Sequence, residues 1–556
     1  MKREGFKKYK QYQNVELKER KWPSNLITKA PIWCSVDLRD GNQALRNPMS
    51  LEKKMEFFNL LVEMGYKEIE IGFPAASQIE FDFTRHLIEN NLIPEDVTIQ
   101  ILTQARRELI EKSFEALKGA KKAVVHLYNS TSVAQRRVVF NKSKQEVIDL
   151  AVDGTKIIKE LTREYPETKF TLEYSPESFS GTELDYALGI CDAVVKEWKP
   201  TIEDKVILNL PTTVEMYTPN IYADQIEWFS NNIENRECII LSSHPHNDRG
   251  TAVATAELAM LAGIDRIEGT LFGNGERTGN VDLVTLGLNL YTQGIDPEID
   301  FGKIDNIVDI YEDCTEMIIP ERQPYAGELV YTAYSGSHQD AINKGLVDYK
   351  DGGYWEVPYL PIDPKDVGRN YEALIRINAQ SGKGGIAFIM QNYYGFTIPK
   401  FMQKDLSLVI QNIADKSAKE VNAETILEAF KDNYLNIPSP LVLESFEISS
   451  KEFSSQDICI KAEMKNNGVK VNITGSGNGP IDAFVHALNG LFGGCKVTSY
   501  TQHSLGSDSN AESVAYIEIT DDKNESYYGV GTDSNIILAS IKGIISAVNK
   551  RIITLS

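Results

Sequence analysis

From about residue 31 to residue 290 one unit recurs: a short apolar run, a polar loop, then a helical pattern. The runs are Pro31–Val36, Glu68–Phe73, Thr98–Leu102, Ala123–Leu127, Phe170–Tyr174, Val206–Leu210, Cys238–Leu241 and Arg266–Leu271. Most are rich in Ile and Val and too apolar to have a wet face, as expected of buried parallel strands. Between them, Leu51, Met55, Phe58, Leu61 and Val62 share one face of a helix over Leu51–Met64, and small residues repeat the spacing over Thr251–Ala262. Eight strands alternating with helices over this length predict an α/β chain with a (β/α)8 TIM barrel. A doubly wound sheet is the competing α/β fold. The strand count and the placement of the polar motifs favour the barrel.

Beyond about residue 320 the pattern changes. Residues 321–435 mix helices with loops carrying Pro, Gly and Tyr and read as small linker subdomains. From about 440 strand-like runs return at Glu444–Ser449, Asp457–Lys465 and Val469–Gly475, followed by Gly475–Pro480 (GSGNGP) and a helical Ile481–Leu491. A second round follows: Cys495–Gln502, Glu512–Thr520, Tyr527–Val530, the turn Gly529–Asn535 (GVGTDSN) and the helical Ile536–Val548. The expected organisation is therefore an N-terminal arm (1–30), the barrel (31–320), the linker subdomains (321–435) and a pseudo-symmetric α+β domain (436–556).

A formal net charge of −21 argues against a nucleic-acid partner. Six scattered cysteines without a C-x-x-C pair suggest neither a disulfide framework nor a zinc ribbon, and suit a reducing cytoplasm. The basic start lacks the apolar core of a signal peptide, and no run is long and apolar enough to span a membrane.

The chemistry gathers at the strand ends. The first strand runs into Asp37–Gln43 (DLRDGNQ), where Asp40 offers oxygen ligands and Arg39 a planar fork for a carboxylate or an oxyanion. A helix cap with a surface ion pair is the plainer reading of that motif. The seventh strand ends in Ser242–Asp248 (SSHPHND), and two histidines at i and i+2 point to one side of an extended chain, as two imidazoles on one metal would. Two hydrogen-bonded loop histidines would look the same. The eighth strand leads to Gly269–Asn280, a glycine-rich loop ending in an amide oxygen at Asn280. Asp, two His, Asn and water would suit a divalent ion with open positions, such as Mg, Mn or Zn, which a 2-oxo acid could chelate. His126, Asn129, Glu173, Tyr174, Glu177, Thr212 and Thr213 follow other strands towards the same end. Barrel enzymes build their sites on that face.

These motifs, with VVHLYNST (124–131), EYSPE (173–177), LPTTVE (210–215), SHPHNDRGTA (243–252), FGNGERTGN (272–280), SGSHQDAINKG (335–345), VGRNYEA (367–373) and SGKGG (381–385), resemble the acyl-CoA-condensing and -cleaving barrels called DRE-TIM metallolyases. The likeness is closest to the isopropylmalate-forming branch and covers nearly the whole chain beyond residue 20. It implies an acyltransferase, acting at the first committed step of leucine biosynthesis, that condenses acetyl-CoA as co-substrate with 2-oxoisovalerate and hydrolyses the thioester. It implies that Asp40, His244, His246 and Asn280 hold the metal, that Arg39, His126 and Thr213 bind the oxo acid, and that Arg39, Glu177, His338 and Tyr371 serve catalysis. His338 and Tyr371 would come from the partner subunit, so a homodimer is implied. The tail resembles a leucine-binding regulatory domain, with leucine as feedback inhibitor. Glycine turns at helix N-termini suit an amino-acid carboxylate, and Gly477, Gly479 and Ile481 are the expected contacts; a dimerisation module without a ligand is the simpler alternative. Homocitrate or citramalate synthases differ mainly in the oxo-acid pocket. The lyases of the family carry a Cys in the glycine loop that Gly269–Asn280 lacks. A leucine-sensing protein on an inactive barrel is disfavoured because every expected position is occupied.

Overall fold

The eight apolar runs become eight strands: β1 (Ile32–Ser35), β2 (Glu68–Gly72), β3 (Thr98–Gln104), β4 (Lys122–Ser130), β5 (Lys169–Glu177), β6 (Val206–Asn209), β7 (Ile239–Ser243) and β8 (Arg266–Gly269). They pair in parallel in chain order, and β8 returns to β1 with Ile32 opposite Arg266 and Ser35 opposite Gly269, closing the barrel. The structure is a computed structural model that describes residue 8 and residues 14–332, 336–369, 376–377, 383–417, 421–450, 458–506 and 511–555. β4 and β5 run longer than their apolar stretches because their ladder continues to Ser130 opposite Glu177. This carries Glu177 out to the rim.

The barrel helices are α1 (Leu51–Met64), α2 (Gln78–Glu89), α3 (Arg107–Leu117), α4 (Lys144–Leu161), α5 (Leu184–Trp198), α6 (Pro219–Asn232), α7 (Ala252–Leu261) and α8 (Leu283–Tyr291). Local chemistry starts and stops them. Ser143 and Glu146 form a reciprocal capping box at the head of α4, and Gly65 takes the left-handed conformation that ends α1. The buried side of α1 differs from the expected one. It comprises Lys54, Phe57, Phe58, Leu60, Leu61 and Met64, with a lysine among the apolar residues.

The barrel interior also departs from expectation. Glu70, Gln100, Glu173, Arg266 and Glu268 are wholly buried although they lie on strands that read as apolar. Burial of a charge is tolerated only with partners. Here Arg266 donates to Gln100 at 2.7 Å, Glu268 at 2.9 Å, Ser242 at 2.9 Å and Glu68 at 2.6 Å.

The chain divides into two units, Met1–Val330 with Asp340–Gly368 and Tyr331–Gln339 with Arg369–Ser556. After the barrel come α9 (Ile304–Thr315) and α10 (Gly336–Asp348). The second unit holds a short antiparallel pair, β9 (Arg376–Ile377) and β10 (Val421–Asn422), and helices α11 (Lys383–Tyr394), α12 (Lys400–Ser417) and α13 (Ala423–Tyr434). Its remainder is a repeated three-strand-plus-helix unit. β11 (Leu441–Ser450), β12 (Ile458–Asn466) and β13 (Val469–Gly477) precede α14 (Pro480–Phe492). β14 (Lys496–Leu505), β15 (Glu512–Thr520) and β16 (Ser526–Asp533) precede α15 (Ile536–Leu555). Each helix rests on its last strand at a glycine. A Cβ at Gly475 would lie 2.3 Å from the Ala483 carbonyl oxygen, and one at Gly529 would lie 2.2 Å from the Ala547 nitrogen. The duplication read from the sequence is thus present in the packing. α11–α13 share a core with Val514, Tyr516 and Val530 of the second sheet. Among the described residues no helix is long and apolar enough to cross a membrane.

Candidate active site

Beyond β1 the chain makes one π-helical turn, Asp37–Gly41. Its first residue anchors it: Ser35 Oγ donates to Asp37 Oδ2 at 2.7 Å, and the Leu271 amide donates to Asp37 Oδ1 at 3.0 Å. Burial pushes the Asp37 carboxyl up to about 7. The turn aims Arg39 and Asp40 into the barrel mouth. Arg39 donates through Nε to Glu70 Oε2 at 2.5 Å and through Nη1 to Asp40 Oδ1 at 2.7 Å. Burial opposes the Asp40 charge, but Arg39 and the neighbouring histidines outweigh it and hold the carboxyl well below its usual range.

His244 and His246 follow β7 and stand 5.2 Å apart between ring centroids, with 30° between their planes. Their Nε2 atoms lie 3.6 Å and 3.9 Å from Asp40 Oδ2. One donor atom from each of Asp40, His244 and His246 falls within 4.8 Å of the others, and all three residues are buried. His244 Nδ1 meets Glu268 Oε2 at 2.7 Å, the arrangement that leaves Nε2 facing the centre. Burial disfavours a charged His244, yet hydrogen bonds to Asp40 and Glu268 raise the ring to about 9. Burial and the charge on His244 push His246 down to about 3, and its Nδ1 is buried without a partner. An ionised carboxylate and two imidazoles converging in a buried mouth fit a divalent ion. Asn280 is 1% exposed and turns its amide nitrogen, not its oxygen, towards the trio: Nδ2 donates to Asp40 Oδ2 at 2.8 Å, and Oδ1 is buried without a partner. The Asp40 carboxylate selects this face of the amide; a half-turn of the amide would present the oxygen.

A second cluster, His126, Glu173 and Glu268, also brings one ligand atom from each residue within 4.8 Å of the others. It already holds a cation, because Arg266 Nη1 lies 2.9 Å from Glu268 and 3.4 Å from Glu173. Glu173 thus sits inside the barrel, where burial holds its carboxyl well above the usual range.

A cavity of about 250 Å³ opens above the trio, and Arg39, His126, Glu177, Thr213, Glu276 and Arg277 are among its lining residues. His126 bridges Glu70 Oε1 at 2.9 Å and Ser175 Oγ at 2.7 Å. Glu177 accepts from Ser130 Oγ. Thr213 Oγ1 accepts from the Ser178 amide at 2.9 Å, and its carbonyl accepts from Arg277, whose Nε bonds Asp248 at 2.7 Å. The structure therefore brings Arg39, Asp40, His126, Glu177, Thr213, His244, His246 and Asn280 to one mouth. His338 falls on α10, but its side chain is outside the described residues, as is Tyr371 altogether.

The glycines of the eighth loop serve the loop itself. Gly279 has φ 92°, and a Cβ there would lie 1.8 Å from the Gly273 carbonyl oxygen, which accepts from the Asn280 amide at 3.1 Å. Sequence reasoning missed Glu70, Gln100, Arg266 and Glu268. For the three charged residues the signal was charge at every second position of β2 and β8 (Glu68/Glu70, Arg266/Glu268), one face of a strand that is otherwise apolar; Gln100, uncharged on β3, carried no such mark.

The chain matches the HMGL-like family over residues 30–310, the post-catalytic domain of alpha-isopropylmalate synthase over 328–391 and the LeuA allosteric (dimerisation) domain over 420–552. It is 55% identical over 553 residues to a 2-isopropylmalate synthase of Clostridium acetobutylicum, covering 98% of this chain and 99% of that one. A 2-isopropylmalate synthase of Rhodospirillum rubrum is 53% identical over 547 residues, 98% of each chain. The chain belongs to the 2-isopropylmalate synthase family. Among solved structures, an HMG-CoA lyase of Bacillus subtilis overlays with a TM-score of 0.43 at 20% identity, covering 53% of this chain and 96% of its own.

Membership in this family, with the buried trio, supports a divalent metal, and the dimerisation-domain match supports a homodimer. In the tail of this family member, Gly477 ends β13, Gly479 is the N-cap of α14 and Ile481 lies in the first turn of α14. Asp482 Oδ2 already accepts from the Asn478 amide at 2.9 Å, so a ligand carboxylate at this helix start would meet a like charge.

Proposed function

We propose that the chain condenses acetyl-CoA with 2-oxoisovalerate and hydrolyses the thioester, giving 2-isopropylmalate and CoA. The observation that carries this reading is the convergence of Asp40, His244 and His246 beneath a cavity that Arg39 and Thr213 also line. The full-length kinship with 2-isopropylmalate synthases supports the choice of substrate. A divalent ion (Mg, Mn or Zn) held by Asp40, His244 and His246, with Asn280 beside Asp40, would polarise the ketone as a Lewis acid.

The other steps fall to side chains. Glu268 holds Nδ1 of His244, so that Nε2 faces the centre and would ligate the ion on giving up its proton. Arg39, pinned by Glu70, holds a fixed positive charge beside the oxygen on which negative charge develops, worth on the order of 10²–10³ in rate for such groups. Thr213 accepts from Ser178, which leaves its hydroxyl hydrogen to donate to the oxo-acid carboxylate. His126 closes the floor of the pocket. One of Glu177, His338 and Tyr371 takes the methyl proton of acetyl-CoA so that the carbon attacks the ketone, and another activates water to release CoA. His338 and Tyr371 act from the partner subunit of the homodimer. Leucine inhibits through the tail, and to bind at Gly477, Gly479 and Ile481 its carboxylate would have to displace that of Asp482 from the Asn478 amide. The six cysteines are free thiols, which suits a cytoplasmic enzyme.

The test is acetyl-CoA-dependent thiol release with 2-oxoisovalerate, 2-oxoglutarate and pyruvate in parallel, with and without leucine. The expected result is fastest turnover with 2-oxoisovalerate, damped by leucine. Preference for another oxo acid would overturn the substrate, and no turnover would overturn the enzymatic reading.

A further inference from the structure

Lys54 of α1 is wholly enclosed. A buried ammonium is costly unless its three donors are met, and here they are. Nζ donates to the Leu38 carbonyl at 3.2 Å, to the Ile71 carbonyl at 3.3 Å and to Glu80 Oε1 at 2.5 Å. The socket is built around the pair. Glu80 Oε2 accepts from the Phe73 amide at 3.3 Å, and Gly72 leaves room for it, since a Cβ there would lie 1.8 Å from that oxygen.

The two carbonyls flank the site. Leu38 precedes Arg39, and Ile71 follows Glu70, whose side chain meets Arg39 at 2.5 Å. The registered pairing of β1 with β2 ends at Ser35 opposite Ile69. Past that point the two chains diverge, one into the π-helical turn and the other into the loop before α2, and the ammonium joins their backbones. A one-residue drift of either would move Arg39, with Asp40 beside it on the same turn, against Glu70.

We propose that Lys54 is a positioning residue for the 2-oxo-acid site: by tying the Leu38 and Ile71 carbonyls together it fixes where the Arg39 guanidinium stands between Glu70 and Asp40. This rests on the functional reading above. A purely structural ion pair between α1 and α2 would instead leave the site intact once both charges were removed.

The test compares Lys54→Met/Glu80→Gln, which removes both charges, with Glu80→Gln, which keeps the lysine and both carbonyl bonds. Full-length, Mg-loaded protein is titrated calorimetrically with whichever of 2-oxoisovalerate, 2-oxoglutarate and pyruvate the wild type binds best, without acetyl-CoA. Melting temperature and the KM for acetyl-CoA are followed alongside. The double variant is expected to weaken 2-oxo-acid binding about tenfold, with the acetyl-CoA KM within about twofold, while Glu80→Gln stays within about threefold in binding. Oxo-acid binding by a folded double variant within about twofold of wild type would overturn the proposal. So would a loss in Glu80→Gln of about tenfold, which is decisive even if the double variant does not fold. Wild-type protein that binds none of the three acids would overturn the functional reading, and the role of Lys54 with it.

Discussion

The barrel and the tail both bury strands behind helices, but with opposite chemistry. In the tail, Ile460, Ala462, Met464 and Ile473 meet Ala483, Phe484 and Ala487 in an apolar core. In the barrel, Glu70, Gln100, Glu173, Arg266 and Glu268 occupy the interior. Removing each ion from water costs several kcal/mol, and a buried pair at best offsets that. That tail cluster packs strands on a helix through apolar side chains alone, and the buried Asp521 lies outside it, in the turn after β15 beside Arg551. The charged interior therefore belongs to the mouth above it: Glu70 pins Arg39, Glu268 orients His244, and Arg266 balances the carboxylates beneath.

That contrast can be broken in several places. The largest effect is expected at the mouth. Asp40→Ala should strip the metal during gel filtration and cut CoA release by about 10³ while circular dichroism stays unchanged; full metal retention would remove Asp40 from the ligand set. Next, Arg266→Met leaves Glu268 and Glu68 without their shared cation and should cost about 3–5 kcal/mol in urea unfolding. Ile460→Val in the tail core should cost only about 0.5–1.5 kcal/mol, and equal losses would erase the distinction between the two interiors. Glu268→Gln should then weaken metal affinity about 10–100-fold, and unchanged affinity would show that His244 needs no carboxylate behind it.

The smallest effect concerns pH. Burial raises the Asp37 carboxyl to about 7, so the folded chain keeps a proton that the unfolded chain has lost. The stability this group contributes is fully present below its ordinary value of 3.8 and is lost as pH rises through about 7. Asp37→Asn should flatten that part of the stability profile. An identical profile in the variant would mean that Asp37 is ionised in the fold.

Much of this was legible in the residues, for identifiable reasons. The eight strands stood out because strands covered on both faces are apolar along their length, and Asp40, His244 and His246 stood out as polar groups at the ends of such strands. Arg266 and Glu268 were absorbed into the run Arg266–Leu271, since a two-residue period is faint in a four-residue strand. Lys54 was passed over because a helical face is assigned by its apolar members, and a lysine becomes an inward residue only through partners on β1, β2 and α2. The two ends of the Asn280 amide cannot be told apart in a sequence, so its orientation towards Asp40 had to come from geometry. His338 and Tyr371 rested on family resemblance throughout, because no local pattern marks them.

The most direct test of the central claim is metal-stripped protein assayed for CoA release from acetyl-CoA and 2-oxoisovalerate, before and after Mg is restored, with the product identified by mass spectrometry. Negligible release from the stripped protein and recovery of 2-isopropylmalate formation with the metal are expected. Release that is indifferent to the metal, or metal-restored protein that forms no 2-isopropylmalate, would contradict it.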